Sequence, residues 1–333
     1  MFASLCKHPM KFCYAHKGLA SVSACRALSL SQSVNKEAGH SEIKNVVVVG
    51  GGLMGAGVAQ VAAQNDFSVT VVDSEDEYLQ KCMVMIRKSL DRITKKKFPN
   101  EPKGAAKFID DTFSKLKSNR NLAQAVEDAD LVIEAITENM DVKKQLFGDL
   151  DKAAPEKTIF ATNTSSLSVS DIAEATNRPE KVGGLHFFNP VPMMALVEVI
   201  RAKKTSDATL DALYQFSKDL GKNPVVCGDT PGFIVNRLLI PYMMEAIRFA
   251  ERGHASTRDI DTAMRLGAGY PLGPFELADY VGLDTQKFII DGWHEIEPDN
   301  PLFEPSATLD NLVTEGKLGR KTGHGFYKYG NLK

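Results

Sequence analysis

The 333-residue chain lacks most of the features that would assign it to an unusual environment. No apolar run approaches the ~20 residues a membrane helix needs, so no transmembrane segment is expected. Forty lysines and arginines nearly balance 42 aspartates and glutamates. A net charge of −2 leaves no electrostatic footprint for nucleic acid, and none is expected as a partner. The five cysteines (Cys6, Cys13, Cys25, Cys82, Cys227) show neither metal-ligand spacing nor a paired framework. Reduced thiols and no bound metal follow. Acid is missing altogether from the N-terminus until Glu37, whereas Lys7, Lys11, Lys17, Arg26 and Lys36 lie among scattered serines. No secretory apolar core is present. Basic, serine-rich and acid-free is the pattern of a mitochondrial presequence. Residues 1–40 are therefore expected to be a presequence and disordered tail, with the mitochondrial matrix as destination. A disordered cytosolic tail is the competing reading.

What is present begins at Asn45. The stretch to Asp73 reads NVVVVGGGLMGAGVAQVAAQNDFSVTVVD. Val46–Val49 form a β-branched run suited to a strand buried on both faces. Gly50, Gly52 and Gly55 supply G-x-G-x-x-G: a tight turn, room for a pyrophosphate, and close helix packing. A small-residue helix over Leu53–Gln64 and a second strand over Ser68–Val72 follow. Asp73 then offers a carboxylate to ribose hydroxyls and repels a 2′-phosphate, which favours NAD over NADP. The context predicts an N-terminal Rossmann-like, doubly wound α/β sheet.

Glu75–Ser118 reads as a helical excursion from that sheet, broken at Phe98–Pro102. Lys95, Lys96 and Lys97 close its first helix, either as a solvated face or as a clamp for an anionic substrate. Further strands are predicted at Leu131–Ile136, Thr158–Asn163, Val182–Phe188, Leu196–Ile200 and Pro224–Cys227. Polar residues just beyond strand ends are candidates for cofactor contact, with capping as the alternative for Glu138. Ser165 is equally a turn hydroxyl, and Ser168 or Ser170 caps a short helix. Glu198 lies among Leu196, Val197, Val199 and Ile200, where an unpaired carboxylate is costly. His186 is the nearest candidate partner. Asp229-Thr230-Pro231-Gly232 marks a domain boundary, giving 41–229 as the nucleotide-binding domain and 230–333 as an all-α domain. Helices are expected at Phe233–Arg252, as a buried core helix, and at Thr257–Leu266, Phe275–Ile290 and Thr308–Gly316. Asn236 sits one turn into the first, needing a partner from packing or from a ligand.

From Lys44 to Tyr329 the chain resembles the L-3-hydroxyacyl-CoA dehydrogenase family, in particular its mitochondrial short-chain members of fatty-acid β-oxidation. The carriers are VVVVGGGLMGAGVAQ (46–60), ATNTSSLS (161–168), GLHFFNPVP (184–192), LVEVI (196–200), DTPGFIVNRLL (229–239), GAGYPLGPFELADYVGLDT (267–285) and KTGHGFYKY (321–329). The resemblance implies NAD-dependent oxidation of a 3-hydroxyacyl-CoA thioester by a homodimer formed through the C-terminal helices. It implies His186 as general acid/base, Glu198 as its carboxylate partner, and Ser165 and Asn236 at the substrate oxygens. NAD would be held by Gly50, Gly51, Gly52, Leu53, Met54, Gly55 and Asp73. Its nicotinamide half would meet Glu138, Lys143, Ser165, Asn189 and Lys321. Ser89 and Lys96, with Ser165, would contact the coenzyme A substrate. Ala195 and Gly228 stand where lysine is usual, and His254 and His324 where acids are common; none removes a mapped catalytic group. Two alternatives stay open: a non-catalytic, crystallin-like NAD-binding protein, and a dehydrogenase of free 3-hydroxy acids.

Overall fold

Valine-rich stretches form the centre of the molecule because β-branched side chains fill a sheet covered on both faces. The computed structural model describes residues 43–330, so the expected presequence and tail lie outside the described residues. In chain order the first half runs β1 (Asn45–Val49), α1 (Leu53–Gln64), β2 (Ser68–Val72), α2 (Asp76–Lys97), α3 (Pro102–Phe113), β3 (Leu116–Asn119), α4 (Leu122–Ala125), β4 (Leu131–Glu134), α5 (Met140–Ala153) and β5 (Ile159–Thr162). It continues with α6 (Val169–Ala173), β6 (Val182–Phe187), β7 (Leu196–Arg201), α7 (Asp207–Asp219) and β8 (Asn223–Gly228).

The strands make one eight-stranded sheet ordered β3-β2-β1-β4-β5-β6-β7-β8. All neighbours are parallel except β6 and β7. The chain leaves β1 toward β2 on one side and β4 on the other, which is the switch point where doubly wound sheets bind ligands. One apolar layer gathers α1, α2 and α7 against the sheet, including Val48, Val58, Ile86 and Phe216. Phe147, Leu150 and Phe160 anchor the opposite layer.

Beyond Gly228 the chain is helical: α8 (Val235–Glu251), α9 (Thr257–Gly267), α10 (Pro274–Val281), α11 (Leu283–Ile296) and α12 (Ala307–Thr314). These helices share their own core around Met243, Met244, Ile247, Phe275 and Trp293. No helix among the described residues is long and apolar enough to cross a membrane.

Three expectations are corrected. The excursion does not stay helical to Ser118: Leu116–Asn119 is strand β3, pairing with β2 at the sheet edge. The single helix expected over Phe275–Ile290 is two, because Gly282, at φ 107°, breaks it between α10 and α11. The helix containing Asn236 is not apolar-buried all round, since Leu238 is 69% exposed while Met243 and Met244 are buried.

Candidate active site

The run of parallel pairings from β1 through β4 and β5 to β6 puts the carboxyl ends of these strands on one edge. The glycine loop, Glu138 and Ser165 follow from that edge, and His186 is the last residue but one of β6. At the β1 end lies a cleft of about 1050 Å³ lined by Gly50–Met54, Asp73, Tyr78 and Arg120 among others.

The three glycines differ in what requires them. Gly50 has φ 107°, and a Cβ there would lie 2.5 Å from the Ala135 carbonyl oxygen. A Cβ on Gly55 would lie 1.8 Å from the Gly50 oxygen. Gly52 is different: a Cβ would meet nothing within 4 Å. Protein packing does not explain its bare backbone, whereas a phosphate approaching the loop does. Gly52 also caps α1 without a side-chain hydrogen bond, and with Leu53 and Met54, the first residues of that helix, it lines the cleft. Asp73 accepts from Gly51 N (2.7 Å) and Ser74 N (2.7 Å), which fixes its carboxylate at the cleft wall. A dinucleotide with unmodified ribose fits this loop and this acid.

His186 and Glu198 face each other directly across the antiparallel β6–β7 pair. Imidazole Nδ1 lies 2.7 Å from Glu198 Oε2, and both residues are buried. The other carboxylate oxygen accepts from Ile234 N (3.1 Å) and Val235 N (2.8 Å) at the start of α8. A carboxylate at Glu198 only accepts, so a neutral imidazole here carries its proton on Nδ1 and has its lone pair on Nε2. Among the described residues no protein group bonds Nε2, and 7% of the imidazole side chain remains exposed. The rings of Phe188 and Phe233 flank it at 4.5 and 5.5 Å between centroids.

Asn236 donates from Nδ2 to the Ser165 carbonyl oxygen at 3.3 Å. The four predicted catalytic residues thus form two bonded pairs, joined by the first turn of α8. Glu138 is more than a cap. Its Oε1 accepts from Thr164 Oγ1 (2.6 Å) and Ser165 N (2.9 Å), with Ser165 Oγ, Ser166 N and Ser166 Oγ at 3.2–3.3 Å. Burial alone would raise its pKa, but the Lys143 charge and these donors outweigh that and hold it below the ordinary glutamate range. Lys143 is fully buried, 2.5 Å from Glu134 and 3.3 Å from Glu138. Cys227 is no competing base, since burial, followed by the Glu198 and Asp229 charges, pushes its thiol up to about 12.

Lys321 is placed apart from this cluster, its ammonium 2.6 Å from both oxygens of Asp284. Asn189 and Ser89 line a smaller cavity of about 160 Å³ together with Lys88, Arg92 and Pro190–Pro192. Lys96 is exposed farther along α2, outside that cavity. Sequence reasoning missed Glu134 and Asp229. Glu134 sits in the apolar run LVIEAI, and the argument that singled out Glu198 applies to it equally. Asp229 accepts from Val169 N (3.0 Å) and Ser170 N (2.7 Å), tying the turn after β8 to the start of α6.

Two family models match: the 3-hydroxyacyl-CoA dehydrogenase NAD binding domain over residues 45–230, and its C-terminal domain over 232–329. The chain belongs to the 3-hydroxyacyl-CoA dehydrogenase family. It is 60% identical over 287 residues to the mitochondrial hydroxyacyl-coenzyme A dehydrogenase of Rattus norvegicus, covering 86% of this chain and 91% of the rat protein. Identity to the Homo sapiens protein of the same name is 56% over 304 residues, 91% of this chain and 97% of the human one. The crystal structure of (S)-3-hydroxybutyryl-CoA dehydrogenase from Ralstonia eutropha superposes with TM-score 0.82 at 40% identity, over 87% of this chain and all of that one.

Proposed function

We propose that this chain is the NAD-dependent enzyme that oxidises L-3-hydroxyacyl-CoA to 3-oxoacyl-CoA, with His186 as general base paired to Glu198. The observation that carries the assignment is the buried 2.7 Å His186–Glu198 contact, near the carboxyl end of β6, with Nε2 left without a protein partner among the described residues. Alcohol oxidation needs the hydroxyl proton removed as hydride leaves the same carbon. NAD, when bound, supplies the hydride acceptor. His186 Nε2 takes the proton, and Glu198 stabilises the imidazolium that forms while holding the ring in one tautomer. Such a base contributes roughly 10² to 10⁴-fold. Ser165 and Asn236 orient the substrate oxygens, and Glu138 fixes Ser165 from behind. Phe188 and Phe233 keep water from the imidazole faces.

Asp73 and the Gly50–Gly55 loop hold the adenosine and pyrophosphate; Glu138, Lys143 and Asn189 serve the nicotinamide half, while Lys321, engaged by Asp284 apart from that cluster, is left out of it. The coenzyme A moiety runs along α2, using Ser89 and Lys96; Lys88 and Arg92 beside Ser89 support this placement. The chain divides at 229/230 into nucleotide-binding and helical domains, in line with the meeting point of the two family models. Exposed Leu238, Leu266, Phe288 and Ile296 support a homodimer through the helical domain. Relatives named mitochondrial place the protein in that organelle, and the acid-free N-terminus supports the matrix.

The free-acid reading requires a catalytic lysine. Lys143, whose partner Glu138 holds Ser165, instead has its Nζ engaged by Glu134 (2.5 Å) and Glu138 (3.3 Å) with its side chain 1% exposed, so it is not presented to a substrate hydroxyl. NADH absorbance with a 3-hydroxyacyl-CoA and with the corresponding free acid tests the assignment. The thioester is expected to turn over and the free acid not. Glu198→Gln should lower kcat about 100-fold with little change in NADH affinity; an unaltered kcat removes Glu198 from the mechanism. No turnover of either substrate by the wild type would leave the crystallin-like reading in force.

A further inference from the structure

Phe233 has φ 53°, in the left-handed region that bulky side chains rarely occupy. It follows Gly232 at φ 79°, where any Cβ would strike the Trp293 ring at 2.4 Å. This left-handed pair turns the chain from Asp229 into α8 so that the next two amides, Ile234 N and Val235 N, converge on Glu198 Oε1. Phe233 is 4% exposed and packs with Val169, Ile200 and Ala202, and its ring lies 5.5 Å from that of His186. Glycine at 233 would adopt the same backbone without strain, so the benzyl group is kept at a conformational cost.

We infer that Phe233 is a positioning residue of the His186–Glu198 pair, its left-handed backbone aiming two amides at Glu198 while its ring walls off the imidazole. The inference rests on the general-base reading above. Oε1 held by two N–H groups leaves Oε2 as the oxygen that meets Nδ1, so the turn sets which way the carboxylate plane faces. A residue that resists positive φ at 233 swings those amides away and frees the carboxylate to rotate.

Phe233→Gly, Phe233→Ala and Phe233→Val all remove the ring but differ in their tolerance of positive φ, in that descending order. A residue that merely fills space predicts that kcat recovers with side-chain volume, Val best and Gly worst. Positioning predicts the reverse: all three fall below wild type, with Gly highest, Ala lower and Val about tenfold or more below Gly. NADH affinity by fluorescence should stay within about twofold, because neither Gly232 nor Phe233 lines the cleft of the Gly50–Gly55 loop and Asp73. Should Phe233→Val not fold, the Gly–Ala pair carries the same test with a single methyl between them. An order that follows volume, or equal kcat in all variants, overturns the inference. Glu198→Gln is measured alongside. If it turns over normally, the base reading itself fails; if it is crippled while the Phe233 variants show no inverse order, only the role of Phe233 falls.

Discussion

Replacing Lys143 with methionine removes a buried ammonium without opening a cavity, and its cost can be worked from the contacts. The Lys143 side chain is 1% exposed and that of Glu134 0%, with Nζ 2.5 Å from Oε1. Without the lysine, Glu134 keeps only neutral donors, Ile136 N at 2.8 Å and Thr162 Oγ1 at 2.6 Å. An uncompensated charge in such a place costs about 3–5 kcal/mol. With an unfolding entropy near 2.1 cal/mol/K per residue, a unit of this size should lose roughly 5–8 °C in Tm. The double variant Glu134→Gln/Lys143→Met removes both charges and should regain most of the loss, giving a coupling of about 2 kcal/mol or more. Calorimetry on the two single variants, the double and the wild type at neutral pH closes the cycle. If Lys143→Met melts within about 1 °C of wild type, or the double variant is no better than the single, the buried pair is not what holds β4 to α5. NADH titration of the double variant then separates the two roles of Lys143: a restored Tm with weakened NADH binding assigns it to the nicotinamide half as well.

The remaining predictions concern charge. Burial alone would raise the Asp151 carboxyl, but the Asn177 backbone N–H and the Arg178 guanidinium outweigh it and hold the pKa below the usual aspartate range. A carboxyl depressed on folding contributes stability above its unfolded pKa and loses it as pH falls through the folded value. Asp151→Asn should therefore cost about 1–3 kcal/mol at neutral pH, with the gap to wild type narrowing below about pH 4. Urea midpoints at both pH values check this, and a constant gap would contradict the sign. Lys96→Ala should raise KM for acyl-CoA about fivefold near 10 mM ionic strength and hardly at all near 1 M. A loss independent of salt would argue against an electrostatic contact with the coenzyme A phosphates.

The parts of this molecule that could be read from sequence are those where one force dominates. β1, β2, β4 and β5 are legible because continuous burial demands β-branched apolar residues. The His186–Glu198 pair is legible because a carboxylate inside an apolar strand must find a partner, and a short connection offers few. β3 is not legible in this way. Leu116-Lys117-Ser118-Asn119 lies at the sheet edge, where solvent on one side removes the apolar pattern. The break at Gly282 was hidden because LADYVGLDT keeps apolar residues on both sides of it, and only the backbone angle separates α10 from α11. Phe233 was hidden for the opposite reason. In PGFIVNR it reads as one more core aromatic, and nothing in its identity announces a left-handed backbone. That conformation goes with tertiary contacts on either side of it in sequence: Gly232 packed close to Trp293, and Ile234 N and Val235 N bonded to Glu198. The site is therefore specified in two tiers. Strand pattern places Glu198 and His186 opposite each other, and the turn into the helical region sets how the Glu198 carboxylate plane is held toward the imidazole.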